Sequence, residues 1–228
     1  MSPRRAGWLL AVALLSHAAL AKERPTPGTM APEVRSLVNR MQKFYEGTRD
    51  FKAAFRQVYV YKAFNRTQQS SGEVLFKKPA MMRWDYEEPS KRTFVLSGET
   101  AYALDPDALT LTKASVASNQ LSASVTFLWG KGRLADEFRI ERTSCLSCEG
   151  TLLTLMPLKP DARFEQIRLE VDPKSAQVLR STVVDPDGSE NTITFINLKT
   201  NTGLTREAFK LTPPAGTQVI DMTKPSAP

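Results

Sequence analysis

From Phe51 the chain keeps a period of two: Phe51, Ala53, Phe55, Gln57, Tyr59 and Tyr61 fall on one side of a single extended run. Successive side chains of a strand point to opposite faces, so this run predicts a strand with one greasy face that something else must cover. Further short strands are predicted at 72–77, 81–87, 92–97, 100–104, 138–143, 151–156, 164–171, 178–184 and 190–198. Pro79, Glu88-Pro89, Ser97-Gly98, Asp105-Pro106, CLSC, PLKPDA, DPK and DPDG separate them. Consecutive strands joined by turns this tight pair antiparallel.

Two stretches break the period. Pro32 to Glu46 carries Val34, Leu37, Val38, Met41, Phe44 and Tyr45 at helical spacing, with proline in the first turn and Gly47 as a stop. Ser118 to Trp129 places Leu121, Val125, Leu128 and Trp129 on one face, ended by Gly130 to Gly132. About ten strands and two or three helices give an α+β domain. Its one strongly bent antiparallel sheet can close around packed side chains or stay open like a cupped hand, with only the helices available to cover its apolar face. An imperfect cover would leave a greasy cavity.

Residues 1–21 read as an export signal, with Arg4 and Arg5, an apolar run from Trp8 to Leu15, and Ala19-Leu20-Ala21 as the cleavage site. Residues 22–31 and 223–228 read as frayed tails around one domain at 32–222. Loss of Arg4 and Arg5 lowers the formal net charge from +7 to +5. The charges are dispersed, unlike the clustered stripe of a nucleic-acid binder. The single histidine, His17, lies inside the signal, so the exported chain lacks the usual base near neutral pH and the Ser-His and Cys-His arrangements. No Walker loop, nucleophile elbow or dinucleotide fingerprint is present, and the chain is read as a non-enzyme with no cofactor or metal.

Cys145 and Cys148 form a CxxC between two antiparallel strands, a context that suits a local disulfide stapling a turn in an oxidising compartment. The acidic pairs Asp105/Asp107 and Asp185/Asp187 sit in DPD turns and read as turn chemistry. In "SGEVLFKKPAMMRWDYEEPS", residues 70–89, soft apolar groups crowd beside lysine; taken alone, this composition fits an ordinary core better than a ligand pocket.

These residues resemble the LolA family of periplasmic outer-membrane lipoprotein carrier proteins. The matching run is Phe51-x-Ala53-x-Phe55-x-Gln57, then Gly72, Leu75, Lys77-Lys78-Pro79, Arg83-Trp84-x-Tyr86-x-x-Pro89 and Gly98. It continues in "FLWGKGRLADEF" at 127–138, Leu155-Met156-Pro157, Asp185-x-x-Gly188 with Asn191 and Phe195, and Phe209 with Pro214-x-Gly216. The resemblance implies a periplasmic monomer whose strongly curved antiparallel sheet is an incomplete, open β-barrel, with helices covering the concave apolar face and a hydrophobic cavity that takes up lipoprotein acyl chains. Its implied partners are an inner-membrane lipoprotein-releasing ABC transporter (LolCDE-like) and an outer-membrane acceptor (LolB-like). Phe51, Phe55, Leu75, Met81, Met82, Trp84 and Leu128 are the implied lipid-contacting residues. Lys78 is the implied latch of the lid, where well-known members carry arginine. The alternative is a related periplasmic lipid-binding or envelope-stress-sensing module of the same fold.

Overall fold

In the computed structural model, which describes residues 30–116 and 133–223, the period-two stretches join into one sheet. The expected signal, most of both expected tails, the helix expected at 118–129 and the lipid-contact candidate Leu128 lie outside the described residues. Met30, expected in a frayed tail, instead packs against the core, and the Thr223 amide donates to Asp221 Oδ1 at 3.0 Å.

Helix α1 runs Pro32–Gly47. Proline needs no amide partner in the first turn, and Glu33 there meets the positive end of the helix dipole. Val34, Leu37, Val38, Met41 and Tyr45 form its buried stripe. The carbonyls of the last turn find partners outside the helix, as a buried helix end requires. Phe44 O accepts from Thr48 Oγ1 at 2.8 Å, Tyr45 O accepts from the Thr48 amide, and Lys78 and Asn201 reach the rest.

The strands are β1 (Asp50–Tyr61), β2 (Arg66–Lys77), β3 (Met81–Glu88), β4 (Arg92–Ser97), β5 (Thr100–Asp105) and β6 (Thr110–Ser115). After a short helix α2 (Leu134–Glu137) come β7 (Phe138–Thr143), β8 (Thr151–Pro157), β9 (Gln166–Val171), β10 (Val178–Val184), β11 (Glu190–Thr200) and β12 (Gln218–Asp221). Among the described residues the sheet has twelve strands in the order β12-β6-β5-β4-β3-β2-β1-β11-β10-β9-β8-β7. It is long and curved and does not close into a barrel. Every pair is antiparallel except β12 with β6, which the spacing of turns did not foretell. β6 and β12 were not expected from the sequence, and β2 begins at Arg66, ahead of the expected 72.

One face of this sheet meets α1. On it Phe138, Ile140, Leu153, Leu155, Ile167, Leu169, Val171 and Val178 pack with the helix stripe into a core. The opposite face is crossed by the C-terminal segment, where Leu75, Met81 and Val95 pack with Phe209, flanked by Tyr102, Leu204 and Leu211. Arg83 fastens this strap: its guanidinium donates to Ala208 O at 3.2 Å and Lys210 O at 2.9 Å, and grips Asp85 at 2.6 and 3.0 Å. The buried Asp50 carboxylate anchors the start of the strap, accepting from the Thr202 amide at 2.6 Å, Thr202 Oγ1 at 2.9 Å and the Gly203 amide at 3.2 Å. Burial would raise the Asp50 carboxyl, but these bonds outweigh it and hold the carboxyl below its ordinary range.

Candidate functional site

The helix face continues beyond α1 onto β1–β5, and there it is built from rings and thioether. Register places Phe55 between Phe195 on β11 and Gly72 on β2, and Gly72 beside Tyr86 on β3. A Cβ at Gly72 would lie 1.9 Å from Asp85 O, so only glycine fits at this position. With no side chain there, the Phe55 ring reaches across β2 to meet Trp84 and Tyr86 edge-on, at 4.9 and 5.0 Å between centroids. Phe51 stacks on Phe76 at 4.9 Å, and Phe94 meets the far side of Tyr86 at 5.7 Å.

Exposure rises across this surface. Phe51, Phe55, Val74, Phe76 and Met82 are buried, Trp84, Tyr86 and Leu96 are half-buried, and Phe94 is 42% exposed. Beyond Phe94 and Leu96 the register continues into Ala103 and Ala101, so the wall drops from rings to methyl groups. No residue of α1 belongs to this cluster among the described residues. Among the described residues the surface is lined by apolar side chains. Such a surface can hold hydrocarbon by contact and exclusion of water.

Lys78 stands at the buried end of the same surface. Its Nζ donates to Tyr45 O at 2.7 Å and Glu46 O at 3.1 Å, so the cation closes the negative end of α1. Burial against the helix end pushes its ammonium below the ordinary lysine value, partly offset by the Glu46 carboxylate. Its backbone amide donates to Arg49 O at 2.8 Å, which fixes the turn before β3 to the start of β1.

The structure divides the lipid-contact residues expected from the resemblance. Phe51, Phe55, Met82 and Trp84 come together. Leu75 and Met81 do not: they face the other way, under Phe209. The reason is strand parity, since Leu75 lies between Val74 and Phe76, and Met81 and Met82 are neighbours that must point to opposite faces. Phe76, Tyr86, Phe94, Leu96, Ile193 and Phe195 also border the surface and were not among the expected lipid contacts; counting in twos from Trp84 reaches Tyr86, while the others lie on strands whose register the sequence does not give. Cys145 and Cys148 are joined by a disulfide in the β7–β8 loop. Of the acidic turns, Asp105 accepts from the Ala108 amide, and Asp187 from the Ser189 amide and hydroxyl.

Over most of its length the sequence is similar to proteins named as outer-membrane lipoprotein carriers. The family model "Outer membrane lipoprotein carrier protein LolA" matches residues 46–212. A protein of Dechloromonas aromatica named outer-membrane lipoprotein carrier protein is 27% identical, over 80% of this chain and 86% of that one. One of the same name from Chromobacterium violaceum is 25% identical over 91% of this chain and 96% of its own length. Another from Methylococcus capsulatus is 29% identical over 80% of this chain and 86% of its own. Among solved structures, an uncharacterised conserved protein of Thermus thermophilus shares the fold, with a TM-score of 0.53 at 15% identity over 82% of this chain and 98% of that one. A family match spanning most of the chain, on a sheet of this shape, places the protein in the LolA family of outer membrane lipoprotein carrier proteins.

Proposed function

We propose that this protein binds the acyl chains of lipoproteins on the open half of its helix face and carries them across the periplasm. The observation that carries this reading is the continuous surface of Phe55, Met82, Trp84, Tyr86 and Phe94, which grades from buried to exposed with no helix of the described residues over it. Monomeric proteins seldom leave aromatic surface open without a use for it. The relatives named as lipoprotein carriers supply the class of guest. Among the described residues no helix is long and apolar enough to cross a membrane. Cargo would be taken from an inner-membrane lipoprotein-releasing ABC transporter and passed to an outer-membrane acceptor, with no covalent chemistry and no cofactor.

The energetics favour a shallow site. Full burial of a chain of about 16 carbons would give on the order of 12 kcal/mol at roughly 0.8 kcal/mol per CH₂. A guest held that firmly would not be handed on. Contact on one side only, with methyl groups beyond Phe94, recovers a fraction of this and leaves a complex that can be transferred.

The test is to export the protein, purify it without detergent, and identify what co-purifies by native mass spectrometry and lipid extraction. Stoichiometric acylated lipoprotein supports the proposal. Free phospholipid alone would favour the lipid-sensing alternative, and an empty protein that also fails to take lipoprotein from inner-membrane vesicles would end the carrier reading.

A further inference from the structure

Past Phe55 the helix face changes character along the same strands. Gln57, Tyr59 and Tyr61 continue β1 opposite Ser70, Gln68 and Arg66 of β2, with Asn191 of β11 beside Tyr59. Gln57 Nε2 donates to Asn191 Oδ1 at 2.8 Å, and its side chain also bonds the Tyr86 hydroxyl. The Tyr59 hydroxyl donates to the Asp185 carboxylate, and the Tyr59 and Tyr61 rings stack at 4.2 Å. Gln57, Tyr59, Tyr61 and Asn191 are all half-buried. The apolar surface thus gives way, within a few residues, to a shelf of amides and phenols.

A second feature lies against this shelf. β2 pairs with β1 from Arg66 to Lys77, but β3 pairs only with Ser71 to Lys77. Arg66 to Ser70 therefore have a strand on one side and, among the described residues, none on the other. Such an edge is a template for an added strand. At about 3.3 Å per residue, five residues make an edge of roughly 16 Å, enough to pair a short peptide.

We infer that the acylated end of the cargo lies along β1 in a fixed direction, resting on the carrier reading given above. The chains spread over Phe55, Trp84 and Phe94. The polar junction sits on Gln57, Asn191 and Tyr59, and the first residues of the lipoprotein's peptide add as a strand to the edge Arg66–Ser70. The ligand class is a peptide with an acylated N-terminal residue, and the shelf and edge are what separate it from a lipid with the same chains and no peptide.

Amide hydrogen exchange on the mature protein tests this, with two probes: a synthetic peptide of about eight residues bearing an N-terminal S-diacylglyceryl cysteine, and a diacylglycerol of the same chain length. Binding is followed independently by tryptophan fluorescence. With the lipopeptide bound, exchange at alternate amides of Arg66–Ser70 is expected to slow at least tenfold. The diacylglycerol is expected to leave these amides unchanged. Lipopeptide binding that leaves the edge unprotected overturns the inference while the carrier reading stands; if neither probe binds, both fall. Gln57→Leu combined with Asn191→Leu is expected to weaken the lipopeptide several-fold more than the diacylglycerol. An equal change for the two probes counts against the shelf.

Discussion

The two halves of the helix face start from the same alternation and end differently. Under α1, Leu153, Leu155, Ile167, Val171 and Met41 have no exposure at all. Across β1 the same parity yields Trp84 and Tyr86 half-buried and Phe94 partly exposed. Both halves are apolar, the covered one mainly aliphatic and the other mainly aromatic, and that contrast alone does not set their exposure. The difference lies in what is laid over them: a helix stripe fills one, while α1 contributes nothing to the other. In this sheet a core and a candidate binding surface are one element under different cover.

The largest expected effect breaks the covered half. Met41→Ala removes a fully buried side chain and should cost about 2–5 kcal/mol in chemical denaturation, because the rigid surroundings collapse only partly into the hole. Lipid selectivity of the protein that remains folded should be unchanged. Lys78→Met should cost about 1.5–3 kcal/mol, since two helix carbonyls lose a charged donor, and Lys78→Arg should recover part of the loss. Phe94→Asp should cost less stability than Met41→Ala, about 1–2 kcal/mol from the lost edge contact with Tyr86 and the poor strand propensity of aspartate, but should sharply reduce bound acyl cargo per folded protein by mass spectrometry. Equal loading in parent and variant would place the guest elsewhere.

The smallest effect concerns alkaline pH. The hydrogen bond to Asp185, followed by burial, pushes the Tyr59 hydroxyl up to about 12 from its ordinary 10.0. The unfolded chain therefore releases this proton first, so the stabilisation is complete below pH 10 and is lost as pH rises through 12. Tyr45, raised by burial, acts in the same direction. Thermal unfolding of Tyr59→Phe against the parent over that range should show a shallower decline in the variant.

Much of this was legible in the residues. The helical spacing of Val34 to Tyr45 and the period of two from Phe51 set α1 and β1 nearly to the residue. Phe55 and Trp84 were both expected at the lipid surface, but their meeting across Gly72 depends on the register of β2 and was not legible. Leu75 and Met81 fall on the other face from Phe55 and Trp84, as strand parity requires and greasiness weighed without parity does not show. β12 could not be read because four residues, Gln218–Asp221, form a strand only through a parallel partner about a hundred residues earlier. The strap at 204–211 has no period, since its burial depends on sitting beneath Arg83.

The seam between β1 and β11 has a kinetic consequence. The strands β1 to β6 and β7 to β11 each follow one another in the sheet as they do in the chain, so each set can assemble by local hairpins. Phe55 meets Phe195 only when those two arrays zip together, and β12 must then return to β6. Loop-closure entropy is greatest at this joint, and non-local pairing is slow. The refolding rate should therefore respond most to substitutions along the seam, and the nascent chain must wait for its C-terminal third before the two arrays can join.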